Sequence, residues 1–268
     1  MALMKIKTIS ILGCGWYGMA LGKKLSDEGF EVKGSSTGNE KADIMRQSGI
    51  APFVAVFRQD KEYYDPVFFD CDLLIISLPP KRKSDEAALY PIKIARIKQL
   101  VLEFKIKRVL FISSTGVYGD HNTEVDELVL PEPDTVSGKV IFEAEVLLKK
   151  ETAFVSTVIR FGGLFGPGRD PGKFFAGKKN IPGGKNPVNL IHLEDCIGIT
   201  MAVIQQEAFG YTFNACSPEH PLKMDFYTRA AGRSGLELPQ FEAGLGSWKI
   251  VNSVYTAPVL GYKFNSLM

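Results

Sequence analysis

The chain is poor in the residues that staple, ligate or span. Its 268 residues include only four cysteines, three histidines and two tryptophans. None of Cys14, Cys71, Cys196 and Cys216 lies in a C-x-x-C pair, and they do not gather around His121, His192 or His220. That spacing argues against a disulfide framework and against a metal site, and the thiols read as small, reduced hydrophobes of a cytoplasmic protein. Charge of one sign is also missing. The 32 Lys and Arg stand against 30 Asp and Glu, a net charge of +2, which offers no field to a nucleic acid or an anionic membrane. No stretch approaches the ~18 apolar residues of a membrane span. The start, Met1-Ala2-Leu3-Met4-Lys5, runs into Ile6-Lys7-Thr8-Ile9-Ser10-Ile11 without the basic, apolar and cleavage regions of a signal peptide. Internal repeats and low-complexity tracts are absent.

What is present is a globular chain with 45% hydrophobic residues, enough for one sizeable core with or without a small appended lobe. Short apolar strands are expected at Thr8 to Leu12, Phe30 to Gly34, Phe53 to Phe57, Leu73 to Leu78 and Arg108 to Ile112. Between them, Tyr17 to Glu28 places Leu21 and Leu25 at helical spacing before the stop signal Gly29, and Ile92 to Phe104 repeats Ile94, Ile97, Val101 and Phe104 near a 3.6 period. Strands and helices that alternate at this length imply βαβ units and a Rossmann-type, doubly wound parallel sheet. From about Gly162 the texture changes. Gly166 to Lys185 is rich in Gly, Pro and Lys, followed by a helix at Asp195 to Gln205 and a strand at Tyr211 to Ala215. The expected division is a dinucleotide-binding domain over 1–165 and a smaller substrate lobe over 166–268, interleaved with the last sheet elements.

The first strand runs into Gly13-Cys14-Gly15-Trp16-Tyr17-Gly18. A bare Gly-x-Gly-x-x-Gly is weak, but here it follows a strand and opens a helix, the context that a dinucleotide fingerprint requires. Gly13 allows the tight turn, Gly15 lets backbone approach a pyrophosphate, and Gly18 lets the helix pack on the strand. The helix N-terminus then favours phosphate. A structural glycine turn without ligand is the plain alternative. About 20 residues on, an NAD site usually presents Asp or Glu to the ribose. This chain presents Ser36 and Thr37 in Gly34-Ser35-Ser36-Thr37-Gly38, with Lys41 nearby. Hydroxyls there can donate to a 2′-phosphate that a carboxylate would repel, so NADP is preferred over NAD, unless Ser36 and Thr37 are a simple polar turn. Leu78 and Pro79, at the end of the Leu73 strand, are expected to border the ribose and pyrophosphate on topology alone.

A second motif, Phe111-Ile112-Ser113-Ser114-Thr115-Gly116-Val117-Tyr118-Gly119, ends another strand. It resembles the catalytic serine segment of the extended short-chain dehydrogenase/reductase superfamily, the NAD(P)-dependent epimerase/dehydratase group. Arg160 to Arg169 and Val188 to Asp195 resemble further segments of that family, and the resemblance covers nearly the whole chain. It is closest to an atypical, YeeZ-like branch in Ser-Ser-Thr-x-Val-Tyr-Gly, Ser-Gly-Lys and Gly-Pro-Gly-Arg. The resemblance implies that Ser114, with Thr115 beside it, orients a substrate oxygen, and that Ser113 lies at the cofactor. A hydroxyl that merely caps the strand end or touches cofactor is the other reading of Ser114.

Two departures stand out. Leu12 occupies the first glycine of the family's usual Gly-x-x-Gly-x-x-Gly. More seriously, the family's Tyr-x-x-x-Lys supplies a phenol as general acid/base and an ammonium that lowers its pKa, because a free phenol near pKa 10 is poorly matched to neutral pH. Alignment through Phe142-Glu143-Ala144-Glu145 puts Ser137 at the Tyr position and Ile141 at the Lys position, and none of the nine tyrosines has Lys four residues later. Tyr118 reads as structural and Lys139 as a solvated helix-start residue, although Lys139 could reach a ribose or an anion.

The Gly166 to Lys185 stretch holds Arg169, Lys173, Lys178, Lys179 and Lys185 against the single acid Asp170. It reads either as a loop closing over an anionic small-molecule substrate, with Arg169 and Lys173 as its contacts, or as a solvated basic loop. Two functions therefore compete: an NAD(P)-dependent oxidoreductase or epimerase-like enzyme with a degenerate catalytic pair, and a non-catalytic NAD(P)-binding sensor. Members of the family often dimerise through a helical face, so a homodimer is also expected.

Overall fold

A computed structural model describes residues 5–80 and 87–265. In chain order the elements are β1 (Thr8–Leu12), α1 (Trp16–Asp27), β2 (Glu31–Ser36), α2 (Ala42–Gln47), β3 (Ile50–Val54), β4 (Val56–Phe57), β5 (Glu62–Tyr63), β6 (Leu73–Ile76), α3 (Tyr90–Glu103) and β7 (Arg108–Ser114). There follow β8 (Thr123–Val125), α4 (Val136–Lys149), β9 (Val155–Phe161), β10 (Gly163–Phe165), β11 (Leu190–His192), α5 (Leu193–Gln205), β12 (Thr212–Ala215), α6 (Lys223–Arg233), β13 (Lys249–Val251) and α7 (Thr256–Leu260).

Seven strands form one sheet in the order β12-β9-β7-β6-β1-β2-β3. The ladders β1 to β2, β2 to β3, β1 to β6 and β6 to β7 are parallel. After β3 the chain crosses to the other side of β1 and resumes at β6, so the strand order reverses between β1 and β6. This is the doubly wound Rossmann arrangement, and a reversal of that kind opens the crevice in which such sheets take ligands. The register sets Leu12 beside Ile76, and the Ser77 N–H donates to the Leu12 carbonyl at 2.9 Å. The segments leaving β1 and β6 therefore start side by side.

The chain divides into two compact units. The first comprises Met1–Ser113, Val136–Ile159 and Val203–Thr212. Its core is aliphatic: Ile9, Ile11, Leu21, Leu25, Leu73 to Ile76, Ile94, Ile97 and Val109 to Phe111 are fully buried. Near-continuous apolar strands such as Leu73-Leu74-Ile75-Ile76 are what a parallel sheet covered on both faces demands. An aromatic group of Phe68, Phe69 and Phe104 closes one end, with ring centroids 5.2 and 5.4 Å apart.

The second unit comprises Ser114–Thr135, Arg160–Ala202 and Phe213–Met268. Polar knots hold parts of it. The Glu127 carboxylate accepts from Asn214 N at 2.7 Å, Ser253 Oγ at 2.6 Å and Val254 N at 2.8 Å. The buried Asp195 Oδ1 accepts from Tyr262 Oη at 2.9 Å and from Asn265 N and Nδ2 at 3.0 Å. Two small parallel pairs, β10 with β11 and β8 with β13, also belong to it.

One expected strand needs correction. Phe53 to Phe57 is not continuous: β3 ends at Val54, and Val56–Phe57 turns away to pair antiparallel with Glu62–Tyr63. An apolar run shows burial, and it carries no mark of where a chain changes partner. Helices α2, α6 and α7 are additions to the expected set. Among the described residues, no helix is long and apolar enough to cross a membrane.

Candidate functional site

The glycine turn lies at the carboxyl end of β1, and its three glycines meet three different constraints. Gly13 has φ +106°, and a Cβ there would lie 2.6 Å from the Ser77 carbonyl oxygen and 2.9 Å from Leu78 Cδ2. Gly18 is buried, and its Cβ would lie 2.4 Å from the Gly13 carbonyl oxygen. Gly15 is exposed, and a Cβ would meet nothing within 4 Å. So Gly13 and Gly18 are glycines because the protein leaves no room, whereas at Gly15 the protein leaves open space. An open face of that kind is what close approach of a pyrophosphate to backbone requires. Helix α1 starts here with no side-chain cap and no acidic residue in its first turn. Its first turn therefore brings no carboxylate of its own to the positive dipole end, and the residues fit a dinucleotide phosphate.

The loop is held from below by β2. The Cys14 N–H donates to the Ser35 carbonyl at 2.7 Å, and the Gly13 N–H donates to Ser35 Oγ at 3.1 Å. Cys14 turns its thiol into the core, and burial pushes that thiol up to about 12. Cys14 thus belongs to the loop through its backbone, with an inert side chain. Tyr17 is buried and Trp16 half-buried at the helix start. Leu78 packs against Gly13, which brings the Leu78-Pro79 segment to the loop, and Tyr90 Oη donates to the Leu78 carbonyl at 2.7 Å.

At the end of β2, Ser36 Oγ donates to the Gly38 carbonyl at 2.5 Å, so its proton is committed within the turn, while Thr37 is exposed. Two further groups lie here. Lys41 Nζ donates to the Cys14 carbonyl at 3.3 Å, placing a cation at the phosphate loop. The Glu40 carboxylate folds over Gly38, where a Cβ would lie 2.4 Å from Glu40 Oε2. Sequence spacing drew attention to Lys41 and missed Ser35 and Glu40, because nothing local marks a side chain that folds back on its own turn.

The end of β7 divides its serines between two jobs. Ser113 is buried, and its hydroxyl donates to the buried Glu145 carboxylate of α4 at 2.5 Å. Ser114 is half-buried, and its Oγ accepts from Gly116 N at 3.1 Å, capping the turn Thr115–Val117. Its own hydroxyl proton takes no part in that cap. Thr115 is buried. On α4, Ser137 is half-buried, Lys139 exposed and Ile141 buried. Ser137, Ile141 and Glu145 follow one another at four-residue spacing and share a helix face. Glu145 escaped sequence reading, although that spacing from Ser137 was the available signal.

Tyr118 is fully engaged in the second unit. Arg160 Nη1 donates to its phenolic oxygen at 2.6 Å, and the phenol donates to the Asp126 carbonyl at 2.8 Å beside Asn214 Oδ1 at 3.1 Å. Burial raises its pKa above the ordinary phenol value. Its phenolic oxygen is thus engaged on both sides within the second unit. In the basic stretch, Arg169 bridges by backbone to Gly166 and Lys173 is exposed on the turn Pro171–Phe174, which Asp170 caps through Gly172 N at 2.8 Å. Lys178 lies over the Phe175 ring at 5.4 Å and donates to the Phe174 carbonyl at 3.0 Å. Part of the basic charge thus supports the loop itself.

Over 265 residues the chain is 37% identical to protein YeeZ of Escherichia coli (strain K12), covering 97% of this chain and 96% of that protein. The chain belongs to the YeeZ family. No family model matches it. It is also similar to the structure of a functionally unknown conserved protein from Silicibacter pomeroyi DSS, with 26% identity, a TM-score of 0.75, and 97% and 94% of the two chains covered. UDP-glucuronic acid 4-epimerase from Bacillus cereus, solved in complex with NAD, superposes with a TM-score of 0.80 at 16% identity over 97% and 94%. That likeness establishes the shared fold.

Proposed function

We propose that this YeeZ-family chain binds NAD(P) and acts as an epimerase-like oxidoreductase on a hydroxyl or carbonyl carbon of an anionic small molecule. The observation that supports it is the phosphate loop: an open Gly15 face between two sterically required glycines, at the N-terminus of an uncapped helix. Bound nicotinamide supplies hydride chemistry. The chain's own residues do the rest. Backbone from Gly13 to Gly18 holds the pyrophosphate, Leu78 and Pro79 line the loop, and Ser113 lies at the nicotinamide end. Ser114 Oγ, whose proton is not used in its cap, orients the substrate oxygen. Arg169 and Lys173 attract the anion. Cofactor binding falls to residues 1–165 and substrate recognition to residues 166–268. The Bacillus cereus neighbour is named for UDP-glucuronic acid, itself an anion, and was solved with NAD, which agrees with this class of reaction.

NADP is the preferred cofactor in this reading. Thr37 and Lys41 favour a 2′-phosphate, Ser36 contributes only as an acceptor-bound turn residue, and Glu40 works against the phosphate. A homodimer through a helical face, in the cytoplasm, completes the proposal, and light scattering tests the assembly.

A second reading is favoured by one observation. Ile141 is buried at the position where the resemblance to the dehydrogenase/reductases implies a lysine, and Tyr118 is bonded on both sides of its oxygen. A chain with no phenol and ammonium pair on α4 could use NAD(P) occupancy as a signal without turnover. Titration with NADPH and NADH, followed by Trp16 fluorescence, tests the shared premise: saturable binding is expected, and folded protein that binds neither overturns both readings. Oxidation of bound NADPH in a screen of phosphorylated and carboxylated carbonyl compounds then separates enzyme from sensor.

A further inference from the structure

The second unit has a cavity of about 280 Å³ that the proposed hydride chemistry does not use. It lies between the turn Pro171–Phe174 and α6. Phe165 and Phe226 contribute its apolar wall, their rings 5.9 Å apart and edge to face at 77°. Arg229, Arg233 and Ser234 contribute its polar rim, with Asp170 as the single carboxylate. Arg229 and Arg233 are four residues apart on α6, so both guanidinium groups leave one face of the helix. Both are exposed, and among the described residues neither is in an ion pair; Arg229 Nε donates only to the Asp225 carbonyl, at 3.3 Å. Asp170 Oδ1 is occupied by its cap to Gly172 N.

Two unneutralised guanidinium groups above an aromatic wall select a particular ligand chemistry. Their planar forks match the oxygens of a phosphate, and ring edges favour a flat body laid against them. At about 280 Å³ the cavity lies just below the range of about 300 to 1,000 Å³ usual for small-molecule pockets, which limits its occupant to the size of a single mononucleotide. We propose that it is an accessory site for a nucleoside monophosphate: the phosphate on Arg229 and Arg233 with Ser234, the base against Phe165 and Phe226. All of its residues belong to the second unit, and none is part of the dinucleotide loop. The proposal therefore stands apart from the cofactor reading.

Calorimetric titration with uridine 5′-monophosphate tests it, run once on protein alone and once on protein saturated with NADPH. Saturable binding is expected in both runs, with inorganic phosphate binding more weakly and uridine weaker still. Arg229→Gln and Arg233→Gln each weaken binding by about tenfold, the size of a charged hydrogen bond lost. Ala230→Leu fills the cavity without changing charge and also removes binding, while NADPH affinity stays as it was. The arginines are exposed, so these two variants keep the wild-type melting temperature and carry the test even if Ala230→Leu folds poorly. Absence of binding overturns the proposal, as does affinity that is unchanged in the arginine variants or abolished by NADPH.

Discussion

The glycine loop after β1 and the first turns of α4 belong to the same unit, yet they differ in what they retain. The loop has the geometry of a dinucleotide glycine turn: a positive φ at Gly13, an open Gly15 and a close-packed Gly18. Helix α4 is well packed, with Gly138, Val140, Ile141, Ala144 and Leu148 buried, and carries Ser137 and Ile141 at the positions where the resemblance to the dehydrogenase/reductases implies a phenol and an ammonium. The difference follows from where each function resides. Phosphate binding is written in backbone geometry, and acid/base catalysis in side-chain identity, so in the proposed function the two regions answer to different substitutions.

The largest effect should come from breaking the intact side. Gly13→Val forces a β-branched residue into φ +106° and drives its Cβ to within 2.6 Å of the Ser77 carbonyl. About 3 kcal/mol of stability should go with it, and NADPH binding should vanish, both readable by thermal melts and fluorescence titration. A variant that melts normally and binds cofactor would mean that the loop is not as tight as described.

Next in size is repair of the depleted side. Ser137→Tyr with Ile141→Lys builds the Tyr-x-x-x-Lys spacing that the resemblance to the dehydrogenase/reductases implies, and any NADPH turnover detected with a screened substrate should rise by about 100-fold, within the range of general acid/base help. Unchanged turnover alongside intact cofactor binding would show that α4 is not where the proton moves.

Tyr118→Phe sharpens the contrast between a structural and a catalytic tyrosine. It removes the acceptor of the buried Arg160 and the donor to Asp126, which should lower stability by about 2 kcal/mol. Cofactor affinity should stay within twofold.

The smallest effect is in the thiols. Burial pushes Cys14 and Cys216 up to about 12, whereas an unfolded thiol ionises near 8.5. Below that pH both states hold the proton and the cysteines leave stability unchanged. Between about 9 and 12 the unfolded chain releases its protons first, so stability should fall as pH rises. Correspondingly, native protein at pH 8 should resist alkylation at these positions until it is unfolded; rapid labelling of native Cys14 would contradict its burial.

Much of this contrast was legible in the sequence because it is carried by periodicity and spacing. Alternating apolar strands gave the doubly wound sheet, and Gly13-x-Gly15-x-x-Gly18 gave the loop. What escaped is non-local or self-folded. Ser35 supports Gly13 across 22 residues, and Ser113 finds Glu145 across 32. The Ser36 hydroxyl looked available to a cofactor and is instead bonded to Gly38, because a side chain two residues from a carbonyl can satisfy itself locally. Helix α6 was hidden by its polarity, since Lys223, Asp225, Thr228, Arg229 and Arg233 leave Phe226 and Ala231 as its only buried side chains.

The central claim is that the loop binds a dinucleotide through an open backbone face. Gly15→Ala tests it most directly, because the added methyl meets nothing within 4 Å in the protein itself. Wild type and Gly15→Ala should melt at nearly the same temperature, while the variant binds NADPH and NADH at least about tenfold more weakly, as expected for a methyl group placed where a pyrophosphate must approach. Equal affinity in the two proteins, or a wild type that binds neither cofactor, would contradict the account.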